Sequence, residues 1–157
     1  MLRTETLALS CMLAALVSGN DAQASPGPPP PQYVSEIAKH IVPNQTATSF
    51  DRYAGDLAPD LSVWTDGTRT ALGKEAWLAI ERRRLGKVDR RVLGYVTGYD
   101  SILVIDRFDD RSGLPDTPGA VFDPRYKIRA VHYDLGTDHL IHTIRITQTE
   151  GVLQTPS

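Results

Sequence analysis

The chain has 157 residues, a formal net charge of −2 and 23% charged residues. That length is enough for one domain with a substantial core, and the composition is ordinary for a globular protein. The nearly balanced charge gives no basic surface for nucleic acid and no strong attraction to anionic membranes, so neither is an expected partner.

The N-terminal segment has the pattern of a secretory signal peptide. Arg3 precedes a largely apolar run, Leu7–Val17, and a polar stretch then ends in Ala22-Gln23-Ala24. This order matches the charged, apolar and cleavage regions of an exported precursor, and the apolar run is too short to span a bilayer. We therefore expect residues 1–24 to be removed after Ala24, which leaves a periplasmic or secreted protein without stable membrane insertion. A buried N-terminal helix is the alternative.

The only cysteine, Cys11, lies inside this segment. Lipidation at Cys11 is a further alternative, although the usual apolar residue three positions before it is missing. Without Cys11 the mature chain has no disulfide, no thiolate nucleophile and no Cys-based zinc site. The Pro-rich residues 25–32 favour an extended linker. The folded domain is then expected at residues 33–150, followed by a tail at 151–157.

Three segments have the periodicity of helices. "YVSEIAKHIV" has apolar residues at the i, i+3, i+4 and i+7 positions and ends at Pro43, and "TATSFDRYAGDLA" repeats this pattern up to Pro59. "GKEAWLAIERRRLG" is the clearest helix: Glu75 lies in its first turn and three arginines lie in its last, as the helix dipole favours. Gly86 is well placed to end it in the left-handed conformation.

The remaining segments are typical of strands. The short strand "LSVW" leads to Asp66-Gly67, a strong turn signal. Four longer strands come after the third helix: "RRVLGYVTGY", "SILVIDRFD", "RYKIRAVHYD" and "HLIHTIRITQT". Helices followed by antiparallel strands predict an α+β fold with the helices on one face of a curved sheet.

The words "FDRYAGDLAPDLSVWTDGTRTALGKEAWLAI" and "GYDSILV" resemble the nuclear transport factor 2-like superfamily, in particular its SnoaL-like members, which are related to polyketide cyclases and ketosteroid isomerases. The resemblance covers roughly residues 33–150. It implies a cystatin-like α+β cone, in which a curved antiparallel sheet surrounds a cavity that three N-terminal helices close. It also implies a homodimer through the outer sheet face. Such a fold sets the place of a site but not its function.

Asp66 is the first candidate for acid–base chemistry. Isomerase- and cyclase-type relatives carry a proton-abstracting carboxylate near the end of the short strand, and burial makes such a group a usable base. Here Thr65 falls on that position and Asp66 follows one residue later, which reverses the strand face. Asp66 is therefore either a catalytic residue or only the first residue of a turn.

Tyr95 and Asp106 form a second, conditional candidate. If Asp100-Ser101 is a two-residue hairpin turn, Tyr95 faces Asp106 on a largely apolar sheet face, where a buried carboxylate needs a donor. The alternative is a partly exposed Asp106 paired with Arg107 or Arg129.

His142 lies among isoleucines, which favours a core-facing position and the role of either a satisfied core residue or a cavity base. His132, Asp134 and His139 have no specific ligand spacing, so no metal and no cofactor are expected. Trp in a short strand or on a facing helix is most often a core residue, but aromatic residues are also the usual wall of a pocket for an apolar ligand. The candidates for ligand binding are Tyr53, Trp64, Trp77, Tyr99 and Tyr133.

These residues indicate a cavity for a small apolar molecule. Cofactor-free proton transfer of the isomerase, cyclase or dehydratase type could take place there, with Asp66, Tyr95, Asp106 and His142 as the acid–base candidates. The alternative is a non-catalytic ligand-binding or protein-interaction domain that uses the same fold.

Overall fold

The structure of the protein, a computed structural model, describes residues 28–111 and 125–152. The predicted signal peptide lies outside the described residues, as do residues 25–27 of the Pro-rich linker and residues 153–157 of the tail. None of the helices within these ranges has the length and apolar character needed to cross a bilayer. In chain order the elements are α1 (Gln32–Ile41), α2 (Phe50–Gly55), β1 (Leu57–Thr65), β2 (Thr68–Leu72), α3 (Lys74–Arg84), β3 (Val88–Thr97), β4 (Ser101–Asp110), β5 (Arg125–Leu135) and β6 (Ile141–Val152).

The strands form one curved, unclosed sheet in the order β2-β1-β6-β5-β4-β3. Every neighbouring pair is antiparallel except β1 and β6, which run parallel. The inner face of the sheet and the helices bury one apolar core, to which α1 contributes Val34, α3 contributes Leu78 and β4 contributes Ile102 and Val104. The predicted α+β architecture is confirmed.

Helix α1 follows its sequence pattern closely. Val34, Ile37, Ala38 and Ile41 are all buried, as the i, i+3, i+4, i+7 spacing predicts. Each fully buried aliphatic side chain of this kind contributes about 1.5–3 kcal/mol relative to exposure. The helix is therefore held by its apolar face rather than by a side-chain cap, which its N-terminus lacks.

The segment around β1 and β2 differs from the prediction. Helix α2 ends at Gly55, and Leu57–Pro59 begin β1 instead of completing the helix. Pro59 lies between Leu57 and Ser62, where the pairing with β6 is irregular and no N–H is needed for the ladder. Thr68–Leu72 form an additional strand, because Asp66 and Gly67 both take positive φ angles and turn the chain back along β1.

The hairpin of β3 and β4 has a different register from the predicted one. Thr97 pairs with Ile102 and Tyr95 with Val104, and an irregularity between Val92 and Gly94 then places Val92 opposite Asp106. The prediction that Tyr95 faces Asp106 is wrong. The longer turn shifts the pairing by two residues, and the bulge next to Gly94 shifts it again.

Candidate ligand-binding cavity

A cavity of about 140 Å³ lies between the inner sheet face and the helices. Its walls come from all three helices, from the two loops that follow α1 and α3, and from strands β3 to β6. The lining residues are Ile41, Asn44, Gln45, Tyr53, Trp77, Glu81, Arg84, Leu85, Gly86, Val88, Arg90, Phe108, Arg129, Val131, Tyr133 and Ile146.

The polar floor of the cavity is a cluster of Asp106, Arg129 and Arg90. Asp106 is directly opposite Arg129 on the neighbouring strand, and Arg90 is diagonal to it across β3. Arg129 donates from Nε to Oδ1 at 2.9 Å and from Nη2 to Oδ2 at 2.8 Å, while Arg90 donates from Nε to Oδ2 at 2.6 Å. Asp106 is 0% exposed and does not line the cavity, whereas Arg90 and Arg129 do, so the cavity meets the guanidinium groups and not the carboxylate.

Arg90 also joins the floor to the C-terminal end of α1. Its Nη1 donates to the carbonyl oxygens of Ile41, Val42 and Pro43 at 3.1, 2.8 and 3.2 Å. These carbonyls are the unpaired acceptors and the negative end of the helix dipole. Arg90 therefore fixes both the helix and the carboxylate.

Asp106 stays ionised in this position. Burial by itself would raise its pKa, but the hydrogen bonds and charges of Arg129 and Arg90 outweigh burial and lower the pKa below its ordinary value. Because Arg stays protonated in proteins, the cluster holds two positive charges and one negative charge. Such a carboxylate is a weak base.

Aromatic side chains form another part of the wall. The Trp77 Nε1–H donates to the Tyr53 hydroxyl at 2.5 Å, and both residues are buried. Burial raises the pKa of Tyr53 well above its ordinary value and the pKa of Tyr133 to about 12, so both phenols are neutral at physiological pH. Phe108 lies beneath the Arg129 guanidinium, which is 3.4 Å from the ring centroid.

Helix α3 adds one carboxylate to the lining. Glu81 accepts from the Arg84 Nη1 at 2.8 Å, and the Arg84 Nε donates to Asp110 at 2.7 Å. Within the ranges that the structure describes, no three His, Asp or Glu side chains are grouped so that they could hold a metal ion.

Three of the five aromatic candidates line this cavity: Tyr53, Trp77 and Tyr133. Trp64 does not. It lies on the other face of β1, where the Arg69 guanidinium is 4.8 Å from its ring centroid. Tyr99 is 74% exposed in the turn between β3 and β4.

The four acid–base candidates are not brought together. Asp106 lies behind the floor, and Tyr95 is 55% exposed on β3. Asp66 is exposed in the turn between β1 and β2, where its Oδ1 accepts from the Gln148 N–H at 3.0 Å. Asp66 is therefore a turn residue that continues the pairing of β1 with the middle of β6, where its own N–H also donates to the Ile146 carbonyl.

His142 does not face the core, which corrects the prediction from its isoleucine neighbours. The β5–β6 ladder passes from the pair Asp134–Thr143 to the pair Leu135–Ile141, so His142 is the extra residue of a bulge. Its side chain is 36% exposed and lies 2.8 Å from Asp60 and 3.0 Å from Asp138.

Sequence reasoning missed Arg90 and Glu81 as cavity residues and named Arg129 only as a partner for Asp106. The signal for Arg90 was its place in the alternation Val88, Arg90, Val92, which puts it on the inner face of β3. Its partner Asp106 is 16 residues away in the sequence, and only the register across the bulge brings the two together.

Comparisons with known proteins identify the fold. No family model matches the sequence, and no curated protein is significantly similar to it. One similar structure is a ketosteroid isomerase-like protein from Kribbella flavida, with 15% identity, a TM-score of 0.58 and coverage of 80% of this chain and 84% of that one. A second is an LEH-like epoxide hydrolase from M. tuberculosis, with 14% identity, a TM-score of 0.53 and coverage of 75% of this chain and 84% of that one. A third is a nuclear transport factor 2-like protein from Exiguobacterium, with 14% identity, a TM-score of 0.50 and coverage of 75% of this chain and 96% of that one. The chain therefore has the nuclear transport factor 2-like fold, as the resemblance implied.

Proposed function

We propose that this chain binds a small molecule in the cavity between its helices and the inner face of its sheet. The observation that carries the proposal is a space of about 140 Å³ inside the core, lined by Trp77, Tyr53, Tyr133 and buried guanidinium groups. Protein interiors are normally close-packed. A preformed space with aromatic walls and a few convergent polar groups is typical of a ligand site.

The size of the cavity limits the ligand. Pockets for drug-sized molecules usually have volumes of about 300 Å³ or more, whereas an apolar cavity of about 150 Å³ accepts benzene. A cavity of about 140 Å³ therefore fits a molecule with a single ring and a short substituent.

Binding is favoured over proton transfer for this cavity. A general base needs a carboxylate or imidazole that can approach the ligand with a pKa near the working pH. Asp106 is ionised and saturated by two arginines, and Glu81 is paired with Arg84. The similar structures include an isomerase-like protein and a hydrolase, so the fold does not select one reaction.

We also propose that the domain acts outside the cytoplasm, because residues 1–24 have the three-part pattern of an exported precursor. Expression of the full chain in a bacterium and N-terminal sequencing of the purified protein test this proposal. A mature protein that begins at Ser25 supports export, and a retained Met1 contradicts it.

Tryptophan fluorescence tests ligand binding directly. The chain has two Trp residues, of which Trp77 lines the cavity and Trp64 lies on the outer face. In a Trp64→Phe variant the emission should come from Trp77 alone and should change when a panel of single-ring molecules is added: phenol, benzyl alcohol, benzamide and benzoate. In the matched Trp77→Phe variant the remaining Trp64 should not respond.

A cavity-filling variant locates the binding site. Val131→Phe in the Trp64→Phe background should abolish the response, because the larger side chain occupies the cavity. Val96→Phe adds the same group at an exposed position of β3 and should leave the response unchanged. No response to any member of the panel, or a response that Val131→Phe does not affect, would contradict the proposal.

A further inference from the structure

We propose that the cavity is selective for an anionic ligand, a single-ring carboxylate whose carboxylate group binds Arg129 and Arg90 on the floor while its ring lies against the aromatic wall. This inference rests on the proposed function and goes further, because it names the chemical class of the ligand and the group that recognises it.

Each guanidinium group of the floor has N–H donors for which no described residue is an acceptor. Arg129 uses Nε and Nη2 for Asp106, and Arg90 uses Nε for Asp106 and Nη1 for the α1 carbonyls. No described residue accepts a hydrogen bond from the Arg129 Nη1 or the Arg90 Nη2. Both residues line the cavity, and both side chains are only 9% exposed. A carboxylate is the acceptor whose geometry and charge fit such donors best.

The charge of the floor favours an anion. Arg90, Arg129 and the ionised Asp106 leave one positive charge in excess, and a buried charge without compensation is costly. The carbonyls at the end of α1 compensate part of the charge on Arg90. Arg129 has no such second partner among the described residues, since its other neighbour is the ring of Phe108. A ligand carboxylate would supply the missing negative charge.

The two phenols of the wall are also donors. The Tyr53 hydroxyl accepts from Trp77, so its own proton is available, and no described residue hydrogen-bonds the Tyr133 hydroxyl. Glu81, the carboxylate that lines the cavity on α3, is engaged by Arg84, which holds it on the α3 side of the cavity and leaves the free donors of Arg129 and Arg90 without an acceptor. The guanidinium and phenol groups together offer donors to an acceptor-only group, which is what an ionised carboxylate is.

Benzoate and benzamide form a matched pair of probes because they have nearly the same shape and differ in charge. In the Trp64→Phe protein, fluorescence titration should give a dissociation constant for benzoate about tenfold or more below that for benzamide, since charge-assisted hydrogen bonds are about twice as strong as neutral ones. Equal affinities would overturn the inference and leave the proposed function standing. If no molecule of the panel binds, the proposed function fails as well.

Variants at Arg129 assign the selectivity to the floor. Arg129→Gln leaves Asp106 paired with Arg90 in a neutral cluster, so the protein should fold, and the benzoate-to-benzamide ratio should fall to about one. Arg129→Lys retains the charge and should keep part of the preference. Arg145→Gln removes an exposed arginine that pairs with Asp134 and should leave the ratio unchanged. A ratio that survives Arg129→Gln, or that Arg145→Gln reduces equally, would overturn the assignment.

Discussion

Two places in this molecule combine a carboxylate, an arginine and an aromatic ring. At the outer turn, Asp66 follows Trp64, and Arg69 lies 4.8 Å from the Trp64 ring centroid. At the cavity floor, Asp106 pairs with Arg129, which lies 3.4 Å from the Phe108 ring centroid. The first group lies within one sequence word, "WTDGTR", and is at the surface, whereas the second joins Asp106 and Phe108 of β4 to Arg129 of β5 and is buried.

Burial makes the chemistry of the two groups different. The carboxylate of Asp66 is exposed to water and accepts one hydrogen bond, from the backbone of β6, so neutralising it should cost little stability. The carboxylate of Asp106 is removed from water and is stable as an anion only because two guanidinium groups replace the lost hydration. The same residue types therefore form a turn in one place and a buried ion-pair cluster beside the cavity in the other.

The largest difference between the two places should appear on neutralising each carboxylate. Asp106→Asn leaves two buried guanidinium groups without an anion and should lower the free energy of unfolding by about 3–5 kcal/mol. Asp66→Asn keeps an oxygen that can accept from the Gln148 N–H and should change it by less than about 0.5 kcal/mol. Urea denaturation monitored by circular dichroism measures both values.

If both variants lose the same free energy of unfolding, burial does not decide the role of the carboxylate, and the contrast between the two places is wrong. The variant Asp109→Asn provides a second surface control, since Asp109 pairs with Arg111 two residues away. It should behave like Asp66→Asn.

An effect of intermediate size on stability is expected when a buried and an exposed tyrosine hydroxyl are removed in turn. Tyr53→Phe removes the acceptor of the Trp77 Nε1–H and leaves a buried donor unpaired, which should cost about 1–3 kcal/mol. Tyr99→Phe removes an exposed hydroxyl, while its carbonyl still accepts from the Tyr33 hydroxyl, so stability should hardly change. Thermal unfolding of both variants at one pH checks the difference. A Tyr53→Phe protein as stable as Tyr99→Phe would show that the Trp77 contact adds nothing.

The sequence correctly predicted those features of the fold that depend on a local pattern of residues. The four apolar residues of α1 and the end of α3 at Gly86, which has φ 70°, agree with the structure. The alternation of β4 also placed Asp106 on the largely apolar face. The register between strands is not a local property. The predicted pairing of Tyr95 with Asp106 was therefore wrong, and the hydrogen bond between Arg90 and Asp106 was not predicted.

Two bulges account for much of the error at the site. One bulge lies between Val92 and Gly94 and changes which residues of β3 and β4 are opposite. The other excludes His142 from the ladder of β5 and β6. A glycine indicates that a bulge is allowed but not how many residues it displaces, and each displaced residue reverses a strand face.

A smaller effect is expected from the outer cation–π contact. Arg69→Ala removes the guanidinium above Trp64 and should lower the free energy of unfolding by about 0.5–1 kcal/mol, the range for exposed pairs. Arg69→Lys should retain part of this energy. Urea denaturation measures both variants. A loss as large as that of Asp106→Asn would contradict the surface character of the turn.

The smallest effect is electrostatic and concerns His142. The hydrogen bond with Asp138, opposed by burial and assisted by the charges of Asp138 and Asp60, raises the pKa of His142 above its ordinary value of 6.5. The protonated histidine therefore stabilises the fold fully below about pH 6.5, and this contribution is lost as the pH rises through the folded pKa. The side chain is 36% exposed, so solvent screens the pair and denaturation experiments are too coarse for it.

An NMR titration of the His142 ring resolves this effect. Asp138→Asn removes the charge but keeps an oxygen for the Leu140 N–H, so the loop should be preserved while the pKa of His142 falls toward 6.5. Asp66→Asn is the matched control, because Asp66 contacts the Gln148 N–H instead of the histidine, and it should leave the titration unchanged. If the pKa of His142 is the same with and without Asp138, the ion pair does not persist in solution. The bulge would then present the histidine to water alone.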